Sequence, residues 1–392
     1  MRNRIQHLRR DERGMTMAFV AMGFMAFLSA TTLAIDVGMF MSARSQAQTA
    51  ADSGALSGAI ALAFNDFDNR SASGPAVSAA ISAAQSNVMI GTAPSVLPSD
   101  VTFPNDPQGE PRWVKVSVFR SNGRSNAIPT IFGTLFGVPT VEINATATAE
   151  AARANAINCI KPFMIPDRWR ETTGTFDPMS SQFEMYDNQG NLLPVASRDE
   201  YIPANQPGYT GWTAADKGTE LILRAGNGNN IEPTAYQSWS MPGNNGLIGG
   251  EFYRHNISGC NRTFVTLDLN NPLFLLQEPG NMTGPTDQGI DELIALDPNA
   301  HWDTSCDCVR GSNAPISPRV TPLPLYDPRK YVEGKANGRN ADFWLANILG
   351  FFIDRRQGNQ VYGFITPISG VINPNAGPAP AGSFPVAIRL VQ

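Results

Sequence analysis

Met15–Ile35 reads MTMAFVAMGFMAFLSATTLAI, a run without a charged side chain. As a helix rising about 1.5 Å per residue, it is long enough to cross a hydrocarbon core of roughly 30 Å. Arg2, Arg4, Arg9, Arg10 and Arg13 precede it, offset only by Asp11 and Glu12. After it the first charge is Asp36, and the next basic residue is Arg44. This arginine excess puts the N-terminus in the cytoplasm and everything beyond residue 36 on the far side of the membrane. A cleaved secretory signal is the competing reading, with Thr32 and Ala34 as small residues before a cut at Ile35. Signal cores usually run 7–15 residues, shorter than this stretch, so a retained anchor is the expectation.

The helical pattern continues past the apolar run. From Gly38 to Phe64 there is no proline and alanine is dense. At 100° per residue, Phe40, Ala43, Ala47, Ala50, Ala51, Gly54, Ala55, Gly58, Ala61 and Leu62 share one face, with Ser42, Ser45, Thr49, Asp52 and Ser53 opposite. Arg44 lies at the edge of the small face, and Leu56 and Ile60 interrupt the polar one. Small side chains let a neighbouring backbone come close, so Ala47, Ala50, Ala51, Gly54 and Gly58 are the expected packing face. Its partner is either the protein's own domain or another subunit. A helix unbroken from Met15 to Phe64 would be about 75 Å long.

Three blocks along this helix carry a family resemblance. Glu12-Arg13-Gly14, then Ala34-Ile35-Asp36-Val37-Gly38, then Gln48-Thr49-Ala50-Ala51-Asp52-Ser53-Gly54-Ala55-Leu56-Ser57-Gly58-Ala59 resemble the N-terminal segment of Tad (tight adherence) Flp pilus-assembly proteins of the TadE/TadG type. The resemblance covers about residues 11–63. It implies a cell-envelope protein associated with Flp pilus biogenesis, with the bacterial inner membrane and other Tad pilus-assembly or pseudopilin subunits as partners. The pattern departs from the pilin-like one after Gly14: Met15, Thr16, Met17, Ala18 and Phe19 follow, with no Glu at the fifth position. That argues against processing by a prepilin peptidase. Larger TadG-type members often carry a von Willebrand factor A domain, whose metal site begins Asp-x-Ser-x-Ser. Asp303-Thr304-Ser305-Cys306-Asp307 has the wrong order for it.

The rest of the chain reads as loop-rich. Glycine (35) and proline (30) fall mostly beyond residue 65, which favours turns over long helices there. Pro75–Asn87 has helical spacing, Pro94–Pro111 reads as a loop, Ile131–Val138 as a short apolar helix. Trp113–Phe119 and Thr140–Ala149 alternate as strands, with Val114, Val116 and Val118 on one face of the first. Further on, Leu221–Leu223, Phe264–Leu267 and Leu273–Leu276 are short apolar runs. Ile290–Leu296 and Asp342–Phe352 read as helices, the second through Phe343, Ala346, Asn347, Gly350 and Phe351. Tyr362–Ile368 and Val386–Val391 read as closing strands.

The fold class is therefore α+β: a transmembrane helix continuing into a long pilin-like helix with antiparallel strands, then a β-leaning mixed exported domain. The expected divisions are 1–14, a basic cytoplasmic start; 15–35, the membrane helix; 36–155, a small α+β pilin-like module; and 156–392, an exported domain.

Cys159, Cys260, Cys306 and Cys308 all lie on the exported side, where an even count favours disulfides. Three pairings exist. Cysteines two apart in sequence pair poorly, so Cys306 and Cys308 are expected to bond to Cys159 and Cys260 in one order or the other.

No catalytic, cofactor or metal site is expected. The chain has three histidines, His7, His255 and His301, and no HExxH, GxSxG or Walker string. The glycine-rich Gly226–Asn230 reads as a turn. Asp297, His301, Asp303, Cys306, Asp307 and Cys308 bring potential ligands within twelve positions. As a calcium loop they fail, because Trp302 stands where glycine is needed and Cys308 where glutamate is needed. A net charge of -5 excludes the strongly basic character of a nucleic-acid binder. Trp169, Trp212, Trp239, Trp302 and Trp344, with Tyr201, Tyr209 and Tyr236, could line a glycan or peptide groove, although large aromatics are more often core or interface packing. The functional expectation is a non-enzymatic, envelope-anchored assembly protein; an envelope-tethered hydrolase or glycan binder on a generic anchor is the alternative.

Overall fold

Helix α1 runs unbroken from Arg13 to Phe64, so the apolar run and the alanine-rich segment are one element. At 52 residues it is about 78 Å long. The computed structural model describes residues 13–65, 69–107, 109–226, 231–242, 249–336 and 342–391. Most of the basic start, with His7, and the Asn227–Asn230 part of the glycine-rich turn lie outside the described residues. The chain forms two compact units, residues 1–150 with 388–392, and residues 151–387.

In the first unit α1 is joined by α2 (Pro75–Ser86), whose proline sits in the first turn, where a missing N–H costs nothing. Strand β1 (Val101–Thr102) pairs antiparallel with β2 (Trp113–Arg120). Two short strands, β3 (Ile128–Pro129) and β4 (Thr140–Val141), pair with each other and frame a loop. Strand β5 (Ile143–Arg153) lies antiparallel beside β2, with Val114 opposite Ala149, Val116 opposite Ala147 and Val118 opposite Ala145. The last strand of the chain, Val386–Val391, completes this four-stranded sheet next to β5. Arg389 on it donates to Glu150 at 2.8 Å. A linear division of the sequence at residue 155 does not provide this return.

The core of this unit is built from small residues. Ala47, Ala50, Ala51, Ala55 and Ala59 of α1 meet Ala76, Val77, Ala80 and Ala84 of α2 and the valines of β2. A side chain begun at Gly54 would meet the Ala80 carbonyl oxygen and Ala84 Cβ at 3.0 Å and Val116 Cγ1 at 3.1 Å. At Gly58 it would meet Val114 Cγ1 at 2.8 Å. Both glycines are required by the approach of α2 and the sheet.

The second unit is organised on a closed six-stranded barrel. After β6 (Ala156–Ile157) come β7 (Phe163–Pro166), β8 (Glu220–Ala225) and β9 (Ala235–Ser238). Helix α3 (Gly249–Ser258), β10 (Val265–Thr266), helix α4 (Thr283–Leu296) and the hairpin β11 (His301–Asp303) and β12 (Cys308–Arg310) follow. Then come β13 (Val320–Tyr326), helix α5 (Pro328–Ala336), β14 (Leu345–Gln357) and β15 (Gln360–Ile365). The barrel order is β13-β14-β15-β8-β9-β7, with parallel pairs at β13/β7 and β8/β9 and the other pairs antiparallel. Its core is large and aromatic: Phe163, Trp169, Trp212, Tyr236, Tyr326, Tyr331, Phe343 and Phe351 are all buried.

Two expectations fail here. Asp342–Phe352 is not a helix; Leu345–Gln357 is the barrel's longest strand. Its first nine residues are all buried, so alternation is erased and the run cannot be told from a buried helix by period. The disulfides also differ. Cys159 bonds to Cys260, and Cys306 bonds to Cys308. Between the latter, Asp307 takes a left-handed φ of +46° in the turn that joins β11 to β12, and the two Cα atoms come within 5.2 Å, the ordinary disulfide range. Local backbone reversal removes the geometric objection to that pair.

Candidate membrane anchor and packing face

Along α1 the surroundings change at one residue. Met15, Met17, Phe19, Val20, Met22, Phe24, Met25, Phe27, Leu28, Leu33 and Ile35 are all exposed. Among the described residues this is the one helix long and apolar enough to cross a membrane, and none of its most apolar window is buried. Bare leucine, methionine and phenylalanine over such a length is costly in water and favourable in hydrocarbon. Burial begins with Asp36 and then follows Ala43, Ala47, Ala50 and Ala51.

Asp36 is an unusual first contact, a carboxylate only 5% exposed. Its Oδ1 accepts the Ile131 N–H at 2.9 Å, and its Oδ2 accepts the Phe132 N–H at 3.1 Å and the Gly133 N–H at 2.7 Å. These donors open a short 3-10 turn, Gly133–Phe136, so the Asp36 carboxyl sits where successive backbone N–H groups converge. The carboxylate thus fastens α1 to the loop between β3 and β4. Sequence reading took Asp36 as the first charge after the apolar run and as a member of the Ala34–Gly38 block, without a partner. The available signal was its phase, since Asp36, Phe40, Ala43 and Ala47 step by four, three and four along the small-residue stripe.

Of the expected packing face, Ala47, Ala50 and Ala51 are fully buried and Gly54 and Gly58 are closed over by α2 and β2 within the same unit. Leu56 is half-buried against that core, and Ile60 is exposed. Gln46, also on α1, accepts the Ile90 N–H at 2.9 Å, which places residue 90 about 15 Å further along the helix than Asp36.

Residues 14–61 match the Tad family model, Flp pilus-assembly TadE/G-like. No curated protein and no solved structure matches the chain. The Tad segment coincides with nearly the whole of α1, spanning both its bare half and its packed half, and ends inside the helix.

Outside the Tad segment the other singled-out residues are dispersed. Asp297 accepts from Ser317 and Ser312 hydroxyls at 2.7 Å each and from the Asn313 N–H, which hold its carboxyl below the usual range. Asp303 is held down by Ser305 and pairs with Arg310 at 2.8 Å. His301 is exposed, with Nδ1 beside the Asn299 carbonyl, and His255 is exposed on α3. Among the described residues no group of three or more His, Cys, Asp or Glu is arranged around a metal position. Trp169, Trp212, Trp239, Trp302, Tyr201 and Tyr236 are buried, and Trp344 and Tyr209 are half-buried. Trp302 stacks on Phe364 at 4.9 Å between ring centres, and Trp344 meets Phe274 edge-on at 5.2 Å. These aromatics work mainly as core.

Two buried ionisable groups in the second unit had no local sequence signal. Asp167 accepts the Tyr201 and Tyr209 hydroxyls at 2.9 and 2.8 Å and the Trp212 N–H at 3.1 Å. Burial pushes its carboxyl up to about 7 against those bonds. Lys161 donates to the Ile257 and Gly259 carbonyls at 2.7 and 2.9 Å, and burial brings its ammonium down to about 7. Apart from the adjacent Arg168 N–H, which also donates to Asp167, the partners of these side chains lie 34 to 98 residues away along the chain.

Proposed function

We propose that this chain is a non-enzymatic, membrane-anchored cell-envelope protein associated with Flp/Tad-type pilus assembly. The observation that carries the reading is the coincidence of the Tad segment with one continuous helix, bare and apolar to Ile35 and packed into a folded unit from Asp36 onward. A helix of that kind holds its folded unit at a fixed height above the bilayer, which suits a subunit of a membrane-based assembly. The N-terminus is cytoplasmic and the helix crosses the bacterial inner membrane once. Both folded units are then periplasmic or extracellular. The arginines before the apolar run support that orientation. Two disulfides support an oxidising compartment. The strongly shifted groups Asp167 and Lys161 are held by tyrosines, an indole-bearing backbone and carbonyls, and this supports a structural role for them.

The test has two arms. Alkaline phosphatase fused after Gln392 is expected to be active, and a reporter that works only in the cytoplasm silent; the reverse pattern overturns the topology. Deleting the chain from its own host is expected to abolish or sharply reduce surface pili, with restoration by the intact chain. Unchanged pilus assembly overturns the pilus-associated role while leaving the anchor intact.

A further inference from the structure

The loop fastened by Asp36 is itself apolar and bare. From Ala127 to Val141 there is no charged residue. Within it Ile131 is 58% exposed, Leu135 80%, Phe136 67% and Val138 48%. Such a concentration of large apolar side chains on one short loop marks an interaction surface. What covers it follows from where it is tied. Asp36 is the residue directly after the membrane-crossing run, and its carboxylate holds the backbone N–H groups of Ile131, Phe132 and Gly133. The loop therefore sits at the level where the helix leaves the hydrocarbon.

Its backbone is suited to that level. Peptide groups that reach hydrocarbon need internal partners. Leu135 N–H donates to the Phe132 carbonyl, Gly137 N–H to Thr134 and Val138 N–H to Gly133. Thr130 closes the neck, its N–H on the Pro139 carbonyl at 3.0 Å and its hydroxyl on the Val138 carbonyl at 2.7 Å. Pro139 has no N–H to satisfy. We infer that Ile131–Val138 is a second membrane contact: a loop locked to α1 by Asp36 that dips Ile131, Leu135 and Phe136 into the interface of the leaflet facing the folded units. A single helix leaves a domain free to swivel and tilt. A second contact to one side of it sets the orientation of the unit relative to the bilayer.

The inference rests on α1 crossing a membrane, not on pilus assembly, and one experiment separates the two premises. The full chain is reconstituted in phosphatidylethanolamine/phosphatidylglycerol vesicles with single added cysteines carrying a nitroxide, the native cysteines being paired. Collisions with oxygen, which partitions into lipid, are compared with those of a water-soluble nickel chelate. Met22→Cys reports whether the helix is in the bilayer. Leu135→Cys, or Phe136→Cys should the first misfold, is expected to collide more with oxygen than with the chelate. Val88→Cys, also bare at 54% but beside the Gln46 level of the helix, is expected to show the reverse order. Asp36→Asn is expected to reduce the oxygen preference at 135 while leaving it at 22. Chelate collisions at 135 as frequent as at 88, with 22 in lipid, overturn the loop and spare the anchor. Protection at 135 from both agents, with spin–spin broadening that grows with protein density, makes the surface a contact between copies and also overturns it. If 22 is itself in water, the anchor fails and the loop proposal with it.

Discussion

The two units solve the same problem with opposite materials. The first buries alanine, glycine and valine, and gains from how closely backbones approach; the second buries tryptophan, tyrosine and phenylalanine inside a closed barrel. Small residues leave little transfer energy per side chain, so the first core depends on dense contact between a helix pair and a sheet. Large aromatics bring area individually, so the second core depends on keeping each one. One core should therefore be sensitive to enlargement and the other to truncation.

The largest effect expected from that contrast is in the barrel. Phe351 is fully buried on β14, and Phe351→Ala should destabilise the second unit by about 3–5 kcal/mol, the usual cost of removing a buried aromatic ring. Denaturant unfolding followed by a probe within residues 151–387 checks it. A loss under about 1 kcal/mol would break the picture of a rigid aromatic core.

Next comes enlargement in the first unit. Gly54→Leu adds side-chain atoms where even Cβ has neighbours at 3.0 Å, and should cost about 1–3 kcal/mol or more through displacement of α2. Leucine is the better helix former, so propensity alone would predict the opposite sign. Ser45→Leu, on the exposed side of the same helix, is the control and should be nearly neutral. Hydrogen exchange across residues 40–86 distinguishes the two. Equal protection in both variants would leave the small face without a packing role.

The third effect is a pH profile confined to the second unit. Asp167 titrates near 7 when folded against 3.8 ordinarily, so its contribution is fully present below about 4 and is lost as pH rises through 7. Lys161 titrates near 7 against 10.5, so its contribution is present above about 10.5 and is lost as pH falls through 7. Together they give the unit a stability minimum near neutrality. Asp167→Asn should flatten the acid limb and Lys161→Met the alkaline limb, as read by melting temperature against pH. An acid limb unchanged in Asp167→Asn would show that the carboxyl is not buried as described.

Much of the first unit was legible in the residues. Charge-free length marked Met15–Ile35 as a helix able to span a membrane, period 3.6 carried it on to Phe64, and alternation marked Trp113–Phe119 with its valines on one face. These are local properties, set by the repeat of helix and strand. Asp36 was legible only in part, because its partners lie 95 to 97 residues on in a loop whose N–H groups carry no sequence signature.

By itself, then, the sequence determined an apolar run long enough to cross a membrane, the long small-faced helix, the α+β character and the position of all four cysteines beyond that run. Tertiary structure alone decided that Leu345–Gln357 is a strand, that Val386–Val391 returns to the first unit's sheet, and that Cys306 bonds to Cys308. It also decided where Asp167 and Lys161 find their partners. A strand covered on both faces loses the alternation that would name it. Strand neighbours, disulfide partners and buried hydrogen-bond acceptors are chosen by closure of the whole chain, and no local period encodes that choice.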